Sequence, residues 1–154
     1  MTEKTIVLVK PDGMIRGLAG QVTTVLENRG LTLVGCKLIQ LTPALLREHY
    51  AHLVDKPFFP GLQAFMESAP VLAQCWQGRN AVDVVRAAIG ATDGAKAAPG
   101  TIRGIYSSSQ QCNVVHASED AAAAEIEIKR FFQPGEIFEA PAVRLGIVLA
   151  ADEA

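Results

Sequence analysis

The apolar residues of this chain fall into short blocks of two kinds that alternate along it, and this alternation restricts the fold more than any other feature. Residues 4 to 9 (KTIVLV) form a continuous apolar run, the pattern of a buried strand. A Pro-Asp-Gly turn follows Lys10. Leu18, Val22, Val25 and Leu26 then recur at helical spacing, which marks an amphipathic helix closed by Gly30. Residues 31 to 40 (LTLVGCKLIQ) are rich in β-branched and apolar types and read as a second strand.

The same alternation continues. Thr42-Pro43 is a helix start, a hydroxyl cap followed by proline in the first turn. That helix should run through LLREHYAHL, with a second short helix around PFFPGLQAFM beyond Pro57. Residues 71 to 76 (VLAQCW) form a third strand. Asn80 is placed to cap a helix whose buried face is Ala81, Val82, Val85, Ala88 and Ile89, with Asp83 and Arg86 on its polar side. Residues 90 to 112 read as a long Gly, Pro and Ser-containing loop, and a loop of that length inside a compact domain is usually functional. A short strand at Asn113 to Val115 follows. Ser118, backed by Glu119 and Asp120, opens a helix reaching about Arg130. The tail has a weaker apolar pattern at Val143, Leu145, Ile147 and Leu149.

This order predicts an α+β fold over residues 1–154 as a single domain: a ferredoxin-like sandwich, with a four-stranded antiparallel sheet and helices packed on one face. A doubly wound parallel sheet competes, but four short strands favour the sandwich. No apolar block is long enough to span a bilayer. The N-terminus lacks the basic-then-apolar order of a secretory signal, so a cytoplasmic location is expected. The net charge of −2 argues against broad binding to nucleic acid or anionic membrane. Cys36, Cys75 and Cys112 are odd in number, far apart and not spaced with histidines as metal ligands, so reduced cysteines and no protein metal cage are expected.

Lys10, Arg86, Thr92, Arg103 and His116 sit awkwardly for purely structural residues, at a strand end, on a polar helix face, in the long loop and before a helix start. Each alone has an ordinary reading as a surface charge or a packing residue. Together they suit phosphate, because phosphoryl transfer needs cations and donors around a charge spread over oxygens. Histidine can serve there as a nucleophile, since neutral imidazole is populated near neutral pH. The chain lacks GxxxxGK[ST] and the glycine-rich loop of protein kinases.

The segment Asn113-Val114-Val115-His116-Ala117-Ser118 resembles the active-site signature of the nucleoside diphosphate kinase family. Lys10-Pro11-Asp12-Gly13 resembles the family's N-terminal motif, and Lys56-Pro57-Phe58-Phe59-Pro60-Gly61-Leu62 echoes another. Gly90-Ala91-Thr92 and the segment from Ala97 to Gly104 are similar to its long loop. The resemblance spans about residues 3 to 137, in the family's order and at its spacing.

It implies that His116 takes the γ-phosphate of a nucleoside triphosphate and passes it to a diphosphate, a ping-pong reaction. By the same resemblance Lys10, Arg86, Thr92 and Arg103 would hold phosphates, with Tyr50 beside the histidine. Lys10 and Asn113 would meet the ribose, and Phe58 would stack on the base with Leu62 close by. Glu127 would orient His116, and Ser118 would sit near the ring. A π-platform accepts any base, so broad base tolerance is expected. Mg²⁺ is implied, carried mainly by the nucleotide phosphates and water. A dimer-based homo-oligomer, a tetramer or hexamer, is implied as well.

The stretch from Ile105 to Cys112 departs from the family pattern, with Gln110 standing where an aliphatic residue usually covers the base. The ending LGIVLAADEA departs as well. Two other readings share the fold. A non-catalytic regulatory module would fail to transfer phosphate. A nucleic-acid binder would show salt-dependent oligonucleotide binding, but the chain lacks an RNP1-like aromatic strand.

Overall fold

The computed structural model describes residues 2–141 and 146–153, so Val143 and Leu145 of the tail pattern lie outside the described residues. The chain folds around one sheet of order β2-β3-β1-β4, antiparallel throughout. Strand β1 (Thr2–Val9) is central beside β3 (Val71–Arg79), with β2 (Thr32–Ile39) and the short β4 (Val115–Ala117) at the edges. This is the ferredoxin-like α+β arrangement predicted from the element order.

Helices cover both faces of the sheet rather than one. Helices α2 (Ala19–Asn28), α5 (Ala81–Ile89) and α6 (Ile102–Tyr106) bring Val22, Leu26, Val85, Ile89 and Ile102 onto Val7, Val9 and Trp76. On the other face α3 (Pro43–His49), α4 (Phe59–Glu67) and α7 (Ala121–Phe131) bring Leu46, Phe59, Met66 and Phe131 onto Ile6, Leu8 and Cys75. The reason lies in β1. Neighbouring residues of a strand face opposite sides, and Ile6, Val7, Leu8 and Val9 are all fully buried. A one-sided sheet would leave Val7 and Val9 in water, at roughly 1.5–3 kcal/mol each.

Several boundaries differ from the sequence reading. The turn after Lys10 is a short helix, α1 (Pro11–Ile15), with proline in its first turn. Thr42 caps α3 as expected, accepting from the Leu45 amide at 3.2 Å. Asn80 does not cap α5 with its side chain: its φ is 48°, left-handed, whereas a side-chain cap requires extended backbone. Glu3 takes that task, its Oε1 accepting from the Val82 amide at 3.0 Å. The loop 90–112 contains a helical turn at Gly94–Lys96 and α6.

Two shifts bear on function. Strand β4 begins at Val115, not Asn113, because Val114 has a φ of 71° and cannot continue a strand. His116 therefore lies inside β4, paired with Leu8, instead of following it. Helix α7 is capped by Asp120, which accepts from the Ala123 amide at 2.7 Å, and not by Ser118.

Candidate active site

A cavity of about 840 Å³ opens beside β4 and the start of the long loop. Its lining includes Lys10, Tyr50, Phe58, Leu62, Arg86, Thr92, Arg103, Asn113, His116 and Glu127. Every residue picked from the sequence is there except Ser118, which is fully buried beneath.

His116 is fixed by its strand and by α7. Its Nε2 stands 3.1 Å from Oε1 of Glu127. The other oxygen of Glu127 accepts from Ser118 Oγ at 2.6 Å. Ser118 is held in turn by the Ile6 amide, 3.4 Å from its Oγ. Thus the serine freed from capping duty anchors the carboxylate that meets the histidine. Burial alone would raise the Glu127 carboxyl. The hydrogen bond and charge of His116, with the Ser118 bond, outweigh this and hold it below its ordinary value. An ionised Glu127 can only accept, so the proton of a neutral His116 sits on Nε2 and the Nδ1 lone pair is free.

The cavity lining also contains His49, which no sequence motif marks. It ends α3, its side chain is 2% exposed, and its ring stands edge-on to His116 with centroids 4.6 Å apart. Tyr50 packs on His49 rather than reaching the cavity alone. Arg130 Nη1 lies 3.0 Å from His49 Nδ1. Arginine only donates, so His49 accepts through Nδ1. Burial, then the neighbouring His116, pushes His49 down to about 3, and it stays neutral. Arg130 had a legible signal, one helical turn beyond Glu127 on the same face. His49 had none, because its partners come from a segment distant in sequence.

The cationic wall is built from buried side chains. Lys10 is 8% exposed and donates to Asn113 Oδ1 at 2.7 Å. Burial first, and Arg103 second, lower its ammonium to about 8. Asn113 Nδ2 donates to the carbonyls of Thr92 (2.8 Å) and Gln110 (3.0 Å), pinning the long loop to the strand. Arg103 is buried and donates to the carbonyls of Asn113 (3.2 Å), Gly90 (3.0 Å) and Val115 (2.7 Å). Arginine carries more N–H groups than these bonds consume. Arg103 is lowered to about 10 by burial and by Arg86, so both guanidinium groups bear on the same space. Arg86 and Thr92 are exposed on the wall. The outer wall is apolar: Phe58 is 56% exposed and Leu62 is mostly buried, while Phe59 is core at 3%.

Asp12 also escaped the sequence reading. Its Oδ2 accepts from the Val114 amide at 3.0 Å, and the Lys10 amide donates to the Val114 carbonyl at 2.8 Å. Among the described residues, the group able to hold a metal ion is His49, His116 and Glu127. That nitrogen-rich set beside Arg130 does not fit Mg²⁺, which demands an oxygen shell.

A cavity lined by cations, by an exposed aromatic ring and by a carboxylate-oriented histidine defines a phosphotransferase for anionic, ring-bearing substrates. The family model for nucleoside diphosphate kinase matches residues 3–137. A nucleoside diphosphate kinase of Parabacteroides distasonis is 50% identical over 151 residues, covering 98% of this chain and 99% of the relative. One from Pyrococcus horikoshii is 46% identical over 91% of both chains. The structure of a halophilic nucleoside diphosphate kinase from Halobacterium salinarum, in complex with CDP, superposes with a TM-score of 0.93 at 45% identity, covering 97% of this chain and 99% of that one. The chain belongs to the nucleoside diphosphate kinase family. Its activity is phosphate transfer between nucleotides.

Proposed function

We propose that the chain moves the γ-phosphate of a nucleoside triphosphate to a nucleoside diphosphate by a ping-pong route through phosphohistidine at His116. The observation that carries this is the 3.1 Å contact between His116 Nε2 and Glu127. It leaves Nδ1 unprotonated. The Nδ1 lone pair attacks the γ-phosphorus as the bond to the bridging oxygen breaks, and the diphosphate departs with that electron pair. The ring keeps its Nε2 proton against Glu127, so no proton need leave the site. A second diphosphate reverses the step and carries the phosphate away.

Lys10, Arg86, Thr92 and Arg103 hold the phosphates in this reading, and their clustered charge supports it. Preorganised cations of this kind stabilise charge developing on transferring oxygens. Lys10 and Asn113 meet the ribose, and Tyr50 and Ser118 support the histidine. Phe58 stacks on the base beside Leu62. The half-exposed ring of Phe58 offers a π-face to any base, which supports broad base tolerance. The CDP bound to the halobacterial relative supports a nucleotide in this cavity. Mg²⁺ would be carried on the nucleotide phosphates and water rather than on a protein cage, where it neutralises phosphate charge.

Exposed Leu38 on edge strand β2 and exposed Phe138 support assembly into a homo-oligomer. No helix of the described residues is long and apolar enough to cross a membrane. Free cysteines fit a reducing, cytoplasmic setting.

Incubating the protein with γ-labelled ATP and Mg²⁺, without acceptor, tests the relay. Acid-labile, alkali-stable label on the parent and not on His116→Ala, discharged by GDP as GTP, is the expected result. A folded parent that takes no label would overturn it.

A further inference from the structure

Val114 is the point where the histidine strand departs from ordinary backbone. It lies directly after Asn113 and two positions before His116, and its φ is 71°. β-Branched residues avoid this left-handed region and are strained when held there. Among the described residues Asn80 is the other non-glycine residue with positive φ, and asparagine tolerates it. Something must therefore hold Val114 in place.

The segment after β1 does so from both sides. Asp12 Oδ2 accepts the Val114 amide at 3.0 Å, and the Lys10 amide donates to the Val114 carbonyl at 2.8 Å. Both polar backbone groups of the strained residue are thus gripped by one short turn. Gly13 lets that turn come close: a Cβ there would lie 3.0 Å from the Val114 carbonyl oxygen and 2.9 Å from Val9 Cγ1. Asp12 Oδ1 is buried and has no hydrogen-bond partner among the described residues. The carboxylate is kept in a costly position while one oxygen serves Val114.

We propose that Asp12 is a positioning residue for the phosphotransfer, holding Val114 left-handed so that Asn113 faces the cavity and His116 enters β4 in register with Leu8. Three positions apart, Asn113 and His116 would face opposite sides of an unbroken strand, yet both line the cavity. Asn113 staples Lys10, Thr92 and Gln110 on the cavity side. Val115 and His116 must instead join β1, where Val9 and Leu8 receive them. A left-handed residue makes that change within one peptide unit. Without the carboxylate Val114 relaxes toward ordinary φ, and the His116 ring moves relative to Glu127 and to the bound phosphate. Small displacements of a nucleophile cost rate more than affinity.

This inference rests on the phosphohistidine reading, and its test separates the two. Single-turnover label uptake from γ-labelled ATP is measured for the parent, Asp12→Ala, Asp12→Asn and Asp12→Ala with Val114→Gly. Their folding is checked by thermal melting, and the His116 tautomer is read by ¹⁵N NMR in the absence of nucleotide. Asp12→Ala should slow uptake at saturating ATP about tenfold or more, with a smaller rise in KM, and should lower the Nε2–H tautomer fraction. Asp12→Asn still offers an oxygen to the Val114 amide and should stay close to the parent. Glycine adopts positive φ freely, so Val114→Gly should restore much of the rate lost in Asp12→Ala. Asp12→Asn as impaired as Asp12→Ala would overturn the clamp in favour of a charge effect on Lys10. Parent-like uptake by Asp12→Ala, or no rescue by glycine, would overturn it too. A parent that takes no label would instead remove the phosphohistidine reading and the clamp together.

Discussion

Glu127 meets His116 and Ser118 with different oxygens, at 3.1 Å to His116 Nε2 and 2.6 Å to Ser118 Oγ. The carboxylate is therefore fixed before it fixes the ring. Hydrogen bonds to charged partners are worth about 1.5–3 kcal/mol, which corresponds to about ten- to a hundredfold in rate. Glu127→Ala is expected to lower kcat toward the larger figure and Glu127→Gln toward the smaller, because the amide oxygen can still accept from Nε2–H. KM for either nucleotide should change little, since Glu127 acts through the ring. Steady-state kinetics with ATP and a pyrimidine diphosphate check this, and a change confined to KM would contradict the assignment.

Phe58 and Phe59 are adjacent but should respond in opposite ways. Phe58 is 56% exposed on the cavity wall, whereas Phe59 is 3% exposed within the core. Stacking is worth about 1–3 kcal/mol per base. Phe58→Ala should raise KM for purine and pyrimidine nucleotides alike by roughly ten- to a hundredfold and leave the melting temperature nearly unchanged. Phe59→Ala should cost about 3–5 kcal/mol of stability. Thermal melting and KM measured on both variants separate the roles.

Lys10 ties stability and affinity to pH with opposite signs. Its ammonium titrates near 8 in the folded chain against an ordinary 10.5. Between these values the unfolded chain binds the proton and the folded chain does not, so stability rises with pH across that window. Below about 8 the folded state bears the cost of a buried charge, on the order of a few kcal/mol. Lys10→Met should lack this rise in urea titrations between pH 8 and 10. Nucleotide affinity moves the other way: in the proposed function Lys10 holds phosphate, so loss of its ammonium should make KM for ATP climb above about pH 8 in the parent. Lys10→Arg, which stays charged, should show no such climb.

The sequence carried the strand order and most of the cavity wall, because each rests on local signals. The run Ile6 to Val9, the cap at Thr42 and the helical spacing of α2 and α5 depend on neighbours along the chain. Lys10, Phe58, Arg103, Asn113 and His116 stand in motifs that resemble those of the family. What escaped depends on backbone conformation or distant partners. Nothing in the residue types marks Val114 as left-handed, so the apolar pattern starts β4 at Asn113 and offers Ser118 as a cap. Asp12 read as part of a turn, because its partner Val114 lies far along the chain. Glu3 capping α5 and Arg130 bonding His49 are likewise contacts that only the folded sheet creates. Helices on both faces are implicit in the unbroken run of β1, but the element order alone suggests one covered face.

His49 gives the final test. It is buried against His116, Tyr50 and Phe131, and burial, then His116, pushes it down to about 3 from an ordinary 6.5. In the unfolded chain it titrates at its ordinary value. Between about 3 and 6.5 unfolding therefore takes up a proton at this site, and stability falls as pH falls through that window. One proton contributes a slope of about 1.4 kcal/mol per pH unit. His49→Phe keeps an aromatic ring in the same space but has nothing to titrate, and it leaves Arg130 with Glu48 as its partner. Urea unfolding at intervals from pH 4 to 6 should show the variant with a slope shallower than the parent's by close to that amount. Parallel slopes would mean that His49 is already protonated in the fold, and with it the assignment of its Nδ1 as the acceptor of Arg130 would fall.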